Sequence, residues 1–468
     1  MPLDPDRLFP PDPGTRRIAR DLYEQVAALP VISPHGHIDP SLLADDKPFG
    51  DPSELFISGD HYVTRLIHAA GVPLDRLGLV DRLGSAAAAA PREVWRTFCE
   101  HWYLFAGTAS GYWLRTSLVE LFGLDREPDA GSADDLFDAI QATLARDEFR
   151  PRALFERFRI EVLATTDDPM ADLRVHDALA ADPDFRGRVI PTFRPDAYLD
   201  PLTPGWVDRV AALTEWNGSP NSSYPGYIEA LAARRRYFVD HGATATDHGV
   251  RQPLAVEMSA SDAAALFARA IAGAITAAEA ASFAGHMLLE MARMSVEDGL
   301  VMTLHAGVYR EHSGETSRRF GPDTGHDIPT ATNYVQNLRP LLERYGNDPE
   351  FHLILFTVDE TTFSRELAPL AGFYPSVYIG APWWFLDAPD AILRFRAAVT
   401  ETAGFYRGAG FIDDTRAFLS IPARHDMSRR LDSVFLARLV VEGRLGLAAA
   451  EQIAVDLVDA LPRRAFKL

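Results

Sequence analysis

The sequence predicts a (β/α)8 barrel with a helical insertion after the first strand, and three observations lead there. Eight short apolar or β-rich runs recur along the 468 residues, each ending in a polar cluster and most followed by a longer helical pattern. The first, Leu29-Pro30-Val31-Ile32, closes on Pro34-His35-Gly36-His37-Ile38-Asp39 and so carries a His-x-His at its C-terminal end. His, Asp, Arg and Trp gather at the ends of later runs too, where barrel enzymes carry their catalytic groups.

After His37 the chain is too long for a single crossover, so residues 40–157 read as an inserted, mainly helical subdomain with helical patterns at 94–105, 113–122 and 134–144. The division is then 1–39 for the N-terminal segment and first strand, 40–157 for the insertion, and 158–468 for the rest of the barrel with C-terminal helices. Run two is Ile160–Thr166, ending in Asp167-Asp168, and run three is Arg188–Phe193, ending in Arg194-Pro195-Asp196. A weaker fourth run, Gly242–Thr246, ends in Asp247-His248. Runs five and six are Gly299–Leu304, ending in His305, and His352–Thr357, ending in Asp359. The seventh, Ser376–Gly380, ends in Pro382-Trp383-Trp384, and the eighth, Ala409–Ile412, ends in Asp413-Asp414-Thr415-Arg416. A second long helical stretch, Ser259–Val296, opens on a capping-like Ser-x-x-Asp at Ser259–Asp262. Ala86–Ala90 reads as linker or helix.

At 47% hydrophobic residues the chain can bury a large core. Its only thiol, Cys99, rules out an internal disulfide and a Cys-rich zinc site, which fits a reducing cytoplasm. The N-terminus lacks a signal-like basic and apolar pair of regions, and no segment approaches the roughly 20 apolar residues of a membrane span. The expected location is cytoplasmic. Forty-six basic against 66 acidic residues give a net charge of −20, which disfavours nucleic acid and anionic lipid as partners. An anionic small molecule would need local positive charge, from a metal and a few arginines. A homo-oligomer stays open.

Residues two apart on a strand share a side, so His35 and His37 can turn both imidazoles to one cation. Catalytic zinc takes three protein ligands, the third commonly a carboxylate, and in a closed barrel Asp414 lies beside the first strand. Asp413 is the rival, and Asp414 can instead cap the following helix. His305 either binds substrate or satisfies a backbone carbonyl. Trp383-Trp384 either walls a sugar pocket or packs in the core, and Asp323 and Asp327 flank a Gly-rich turn suited to a lid.

Several segments, in this order and spacing, make the chain resemble the uronate isomerase (glucuronate isomerase) family of the amidohydrolase superfamily. They are His35-Gly36-His37, Gly59-Asp60-His61-Tyr62-Val63-Thr64-Arg65, Thr165-Thr166-Asp167-Asp168-Pro169, Pro191-Thr192-Phe193-Arg194-Pro195-Asp196, Leu304-His305-Ala306-Gly307, Gly321-Pro322-Asp323-Thr324-Gly325, Trp383-Trp384-Phe385 and Asp414-Thr415-Arg416-Ala417-Phe418-Leu419-Ser420. The resemblance implies a distorted barrel with one divalent ion, usually Zn2+, held by His35, His37 and Asp414. It implies interconversion of D-glucuronate with D-fructuronate, or D-galacturonate with D-tagaturonate. It also implies that Tyr62, Arg194 and Arg416 face the substrate, with His61 beside them. One departure stands out: after run six many relatives carry an Asn-Pro-Arg-like turn, whereas this chain reads Thr357-Val358-Asp359-Glu360, which bears on substrate range.

The residue chemistry agrees. Aldose–ketose isomerisation through an enediol needs a base, a proton carrier and an electrophile. Asp414 or a metal-bound water can take the proton, Tyr62 can relay one, and Arg194 or Arg416 can pair with the C6 carboxylate. The alternative is a mononuclear metal-dependent hydrolase such as a sugar-acid lactonase. A non-catalytic sugar-acid binding protein would have no use for the metal or the tyrosine.

Overall fold

The computed structural model describes residues 3–84, 86–218 and 223–468. Seven parallel strands define the architecture: β1 (Val31–Ser33), β2 (Ile160–Ala164), β3 (Arg188–Ile190), β4 (Ala245–Val250), β5 (Val301–Ala306), β6 (Leu353–Thr357) and β7 (Val377–Ile379). They form two ladders, β1-β2-β3 and β4-β5-β6-β7. A parallel bridge from Phe193 to Thr246 joins the ladders, and another from Ile379 to Gly408 joins β7 to the extended segment after it. The amide of His37 donates to the carbonyl of Thr415 at 3.1 Å and brings that segment back to the first strand. The ring is thus a (β/α)8 barrel whose eighth member pairs too sparsely to be a regular strand.

The side-chain alternation of the strands divides the core in two. Val301, Ile354, Tyr378 and Ala245 pack together inside the ring. Met302, Leu304, Leu353 and Leu355 pack outward against the helices Tyr224–Asp240, Ala277–Asp298 and their neighbours. With both faces covered, β5 and β6 are buried along their whole lengths. The bottom of the ring is stoppered by the C-terminus. Phe466 is fully buried against Val301 and Ile354, and Leu468 packs against Ile32, Val162, Ala164 and Ile190.

Four sequence expectations need correction. The first strand stops at Ser33, so His35 and His37 lie in the loop beyond it. The fourth strand runs Ala245–Val250, shifted toward the C-terminus, and Asp247 and His248 lie inside it. The eighth run forms no regular strand, because Gly410 (φ 79°) and Asp414 (φ 39°) leave the extended region. The helical stretch after Ser259 is two helices, Ala260–Ile271 and Ala277–Asp298, the first capped by Ser259 and the second by a Thr276–Glu279 capping box.

Residues 40–157 hold the helices Ser41–Asp45, His61–Ala69, Pro91–Glu100, Ala109–Glu120, Ala133–Leu144 and Pro151–Arg157, with no strand among the described residues. Their apolar faces share one core with Val31, Ile160 and Leu163 of β1 and β2, which fixes His61 and Tyr62 over the mouth of the barrel. Among the described residues no helix is long and apolar enough to cross a membrane.

Emptying the stopper should loosen the whole ring. Phe466→Ala is expected to cost about 3–5 kcal/mol in urea unfolding, the range for a fully buried Phe. An effect no larger than that of a surface substitution would contradict this packing.

Candidate active site

Val301 faces the barrel interior, so His305, four residues along β5, points the same way. There it meets the loop after β1. Ligand-capable atoms of His35, His305 and Asp414 all lie within 4.8 Å of one another. His35 Nε2 is 3.4 Å and His37 Nε2 2.9 Å from Asp414 Oδ1. The His35 and His305 rings stack with centroids 4.6 Å apart, and His37 stands edge-on to His35 at 5.3 Å. Asp414 Oδ1, His35 Nδ1 and His305 Nε2 are buried without a hydrogen-bond partner among the described residues. The close pairs around Asp414 Oδ1 therefore have ion-pair distance without hydrogen-bond alignment. Two imidazole Nε2 atoms that close on a buried, unpartnered carboxylate oxygen, with His305 Nε2 also unpartnered beside them, fit a first-row divalent cation.

Neighbouring groups fix these side chains. Asp247 Oδ1 lies 2.8 Å from His305 Nδ1, which leaves Nε2 to face the cluster, and Thr303 Oγ1 donates to the same oxygen at 3.2 Å. Burial would raise the Asp247 carboxyl, but Arg194, His305 and His35 outweigh it and hold the group well below the usual carboxylate range. Burial likewise opposes ionisation of Asp414, and His37 and His35 overcome it. Asp413, the rival ligand in sequence, turns away and is bonded by His425 Nε2 at 3.1 Å. Asp414 holds a left-handed backbone, as do Glu311, Asp323 and Trp384 around the same cavity. Such clustering of strained residues is a mark of functional sites.

These groups open into a cavity of about 820 Å³. Arg194 reaches it from the end of β3, with Nε donating to Asp196 at 3.0 Å and Nη1 3.4 Å from Asp247. Gly249 is glycine for space, since a Cβ there would lie 3.0 Å from Asp196 Oδ2 and 3.2 Å from Arg194 Nη2. Arg416 stands at the mouth, its side chain 47% exposed, and donates to Asp323 at 2.9 Å. His61 opens the helix His61–Ala69, where Asp60 caps the amide of Tyr62 at 2.8 Å, and its ring stacks on Tyr62 at 4.7 Å. Burial lowers the His61 imidazole and lifts the Tyr62 phenol well above its ordinary value. Trp383 is buried edge-on to His305 at 4.7 Å, and Trp384 carries the Arg310 guanidinium over its ring.

His37, His61, Tyr62, Arg194, Trp383, Asp414 and Arg416 thus line one cavity, with His35 and His305 buried against Asp414 beside it. Sequence reading missed four contributors. Asp247 was visible only as a polar end to a weak run. Arg310 and the buried pair of Asp387 and Arg424, joined at 3.0 Å, had no local signal at all.

Fold and site define a barrel enzyme with a His–Asp cluster able to hold a metal ion at the C-terminal ends of its strands. The family model described as glucuronate isomerase matches residues 14–461. A uronate isomerase of Corynebacterium efficiens is 51% identical over 467 residues, 99% of this chain and 98% of the relative. The crystal structure of glucuronate isomerase from Caulobacter crescentus superposes with a TM-score of 0.97 at 49% identity, covering 100% of this chain and 97% of that one. That of uronate isomerase from Thermotoga maritima gives 0.92 at 27% identity, covering 100% of both chains. The chain belongs to the glucuronate isomerase family. Its activity class is aldose–ketose isomerisation.

Burial, against the pull of Arg424, pushes the Asp387 carboxyl up to about 7. An unfolded aspartate releases its proton near about 4, so across the interval between these values the folded chain holds more protons and this group makes stability fall as pH rises. Asp387→Asn should remove that part of the slope in urea titrations compared at pH 5 and pH 8. An unchanged slope would show that the carboxyl ionises normally.

Proposed function

We propose that this isomerase acts on hexuronates, interconverting D-glucuronate with D-fructuronate and D-galacturonate with D-tagaturonate by moving a proton between C2 and C1. The observation that carries the reading is the placement of Arg194 and Arg416 on the same cavity as the His–Asp cluster, in a protein of net charge −20. Among the acidic and basic groups that line this cavity, these two guanidiniums supply the local positive charge an anion needs.

His35, His37 and Asp414 are the residues that would hold a single divalent ion, Zn2+ by donor chemistry, with His305 beside them; when bound, the ion polarises a substrate oxygen. Arg416, half exposed and holding Asp323 by one nitrogen, takes the C6 carboxylate in exchange for that aspartate. Arg194 is already balanced by Asp196 and Asp247 and serves a hydroxyl or carbonyl oxygen instead. Tyr62 keeps its proton at neutral pH, so it acts as donor and relay rather than as a standing base. Asp414, held ionised, is the acceptor for the proton leaving carbon. His61 and His305 hydrogen-bond sugar oxygens, and Trp383 walls the ring. A reducing cytoplasm suits the lone buried thiol of Cys99.

Product identity tests the reaction. Incubation with D-glucuronate and with D-galacturonate should give the matching ketouronates by NMR, with no net acid release. Rapid opening of aldonolactones without any ketouronate would overturn the isomerase reading. Arg416→Met should raise KM for uronates about tenfold or more with the melting temperature unchanged. An unaltered KM would place the carboxylate elsewhere.

A further inference from the structure

Arg424 has no part in the scheme above, yet its placement is costly. It lies in the first turn of the helix Ile421–Val441, is 2% exposed, and lines the cavity beside Tyr62. Its Nη1 donates to Asp387 Oδ2 at 3.0 Å and its Nε to Ser420 Oγ at 3.1 Å. Its guanidinium carbon lies 3.6 Å from the ring centroid of Trp113 and 5.4 Å from that of Tyr62. Trp113 in turn stands edge-on to Tyr62 at 5.8 Å. Asp387 Oδ1 is buried with no partner among the described residues.

A pair that served only to hold elements together would be replaced at little cost by apolar side chains, since burying both charges costs several kcal/mol before their attraction is counted. Here the cation instead lies against the face of one ring at the site and against the ring that packs on it. Tyr62 and Trp113 come from the insertion, Asp387 from the loop after β7, and Arg424 from the C-terminal helix. Arg424 is therefore a charged group through which the barrel holds the tyrosine of the insertion, beside the apolar packing of Tyr62 on the barrel. A guanidinium over an aromatic face is attracted by the ring's quadrupole, and that attraction grows as negative charge builds on the phenol oxygen.

We propose that Arg424, braced by Asp387 and Ser420, is a positioning residue for the isomerisation: it sets the ring of Tyr62 over the cavity and stabilises charge on its oxygen while Tyr62 passes a proton. This rests on the relay role given to Tyr62. In that step the Tyr62 O–H bond breaks as its proton goes to one substrate oxygen and reforms with the proton released by the other, so Tyr62 ends unchanged.

The test is a double-mutant cycle in the metal-loaded enzyme with D-glucuronate or D-galacturonate, whichever it turns over faster. Arg424→Met should lower kcat about 30-fold while KM stays within about threefold, the size expected when a desolvated cation–π attraction is removed from the transition state alone. In a Tyr62→Phe background the same change should cost less than about twofold, because the group it acts through is gone. Arg424→Lys should show the same dependence at smaller amplitude and serves if Arg424→Met does not fold. Equal losses in both backgrounds, or a loss in KM alone, would overturn the role of Arg424 and leave the scheme intact. Full kcat in Tyr62→Phe would overturn the relay itself, and this inference with it.

Discussion

The geometry at the mouth of the barrel follows from one constraint: ligand-capable atoms of His35, His305 and Asp414 lie within 4.8 Å of one another, His37 Nε2 is 2.9 Å from Asp414 Oδ1, and Asp414 Oδ1 is left without a hydrogen-bond partner among the described residues where the group meets the cavity. Burying unpaired polar and charged groups costs several kcal/mol, so such a cluster persists only where the surrounding fold dictates it. The surroundings do so here. Asp247 orients His305, and His425 draws Asp413 aside so that the next residue, in a left-handed turn, faces the imidazoles. The pairing of His37 N with Thr415 O then ties the two loops that carry the cluster at the seam of the ring.

The same economy governs the cations. Arg194, Arg416, Arg310 and Arg424 each lean on a carboxylate at the cavity. A guanidinium so paired is held in one orientation before substrate arrives, and an incoming carboxylate has to exchange with an aspartate rather than merely add to it. Exchange is easiest at Arg416, whose partner Asp323 is part-exposed on a strained turn, and hardest at Arg424, where both partners are buried.

Much of the site was legible in sequence because it follows from order along the chain. The order of the first and eighth segments in a closed ring put Asp414 beside His35 and His37, although both histidines lie in the loop beyond β1 rather than on a strand face and the eighth segment is no regular strand. Alternation failed to separate Asp413 from Asp414 because the choice is made by a left-handed backbone at Asp414, which no apolar pattern records. β5 and β6 were visible as buried apolar runs, whereas β4 was misplaced because Asp247 and His248 look like loop residues until their partners, His305 and the Thr303 carbonyl, are in view. Arg424 and Asp387 lie 37 residues apart and meet only in three dimensions. On a helix, such an arginine reads as a solvated surface residue.

The cluster at the seam is the claim on which the remainder stands, and anomalous diffraction addresses it most directly. Crystals grown with zinc and measured on both sides of the zinc edge should show one peak, about 2.0–2.2 Å from nitrogens of His35 and His37 and from an Asp414 oxygen. A peak that excludes Asp414, a second peak of equal height in the cavity, or none at all would contradict the account.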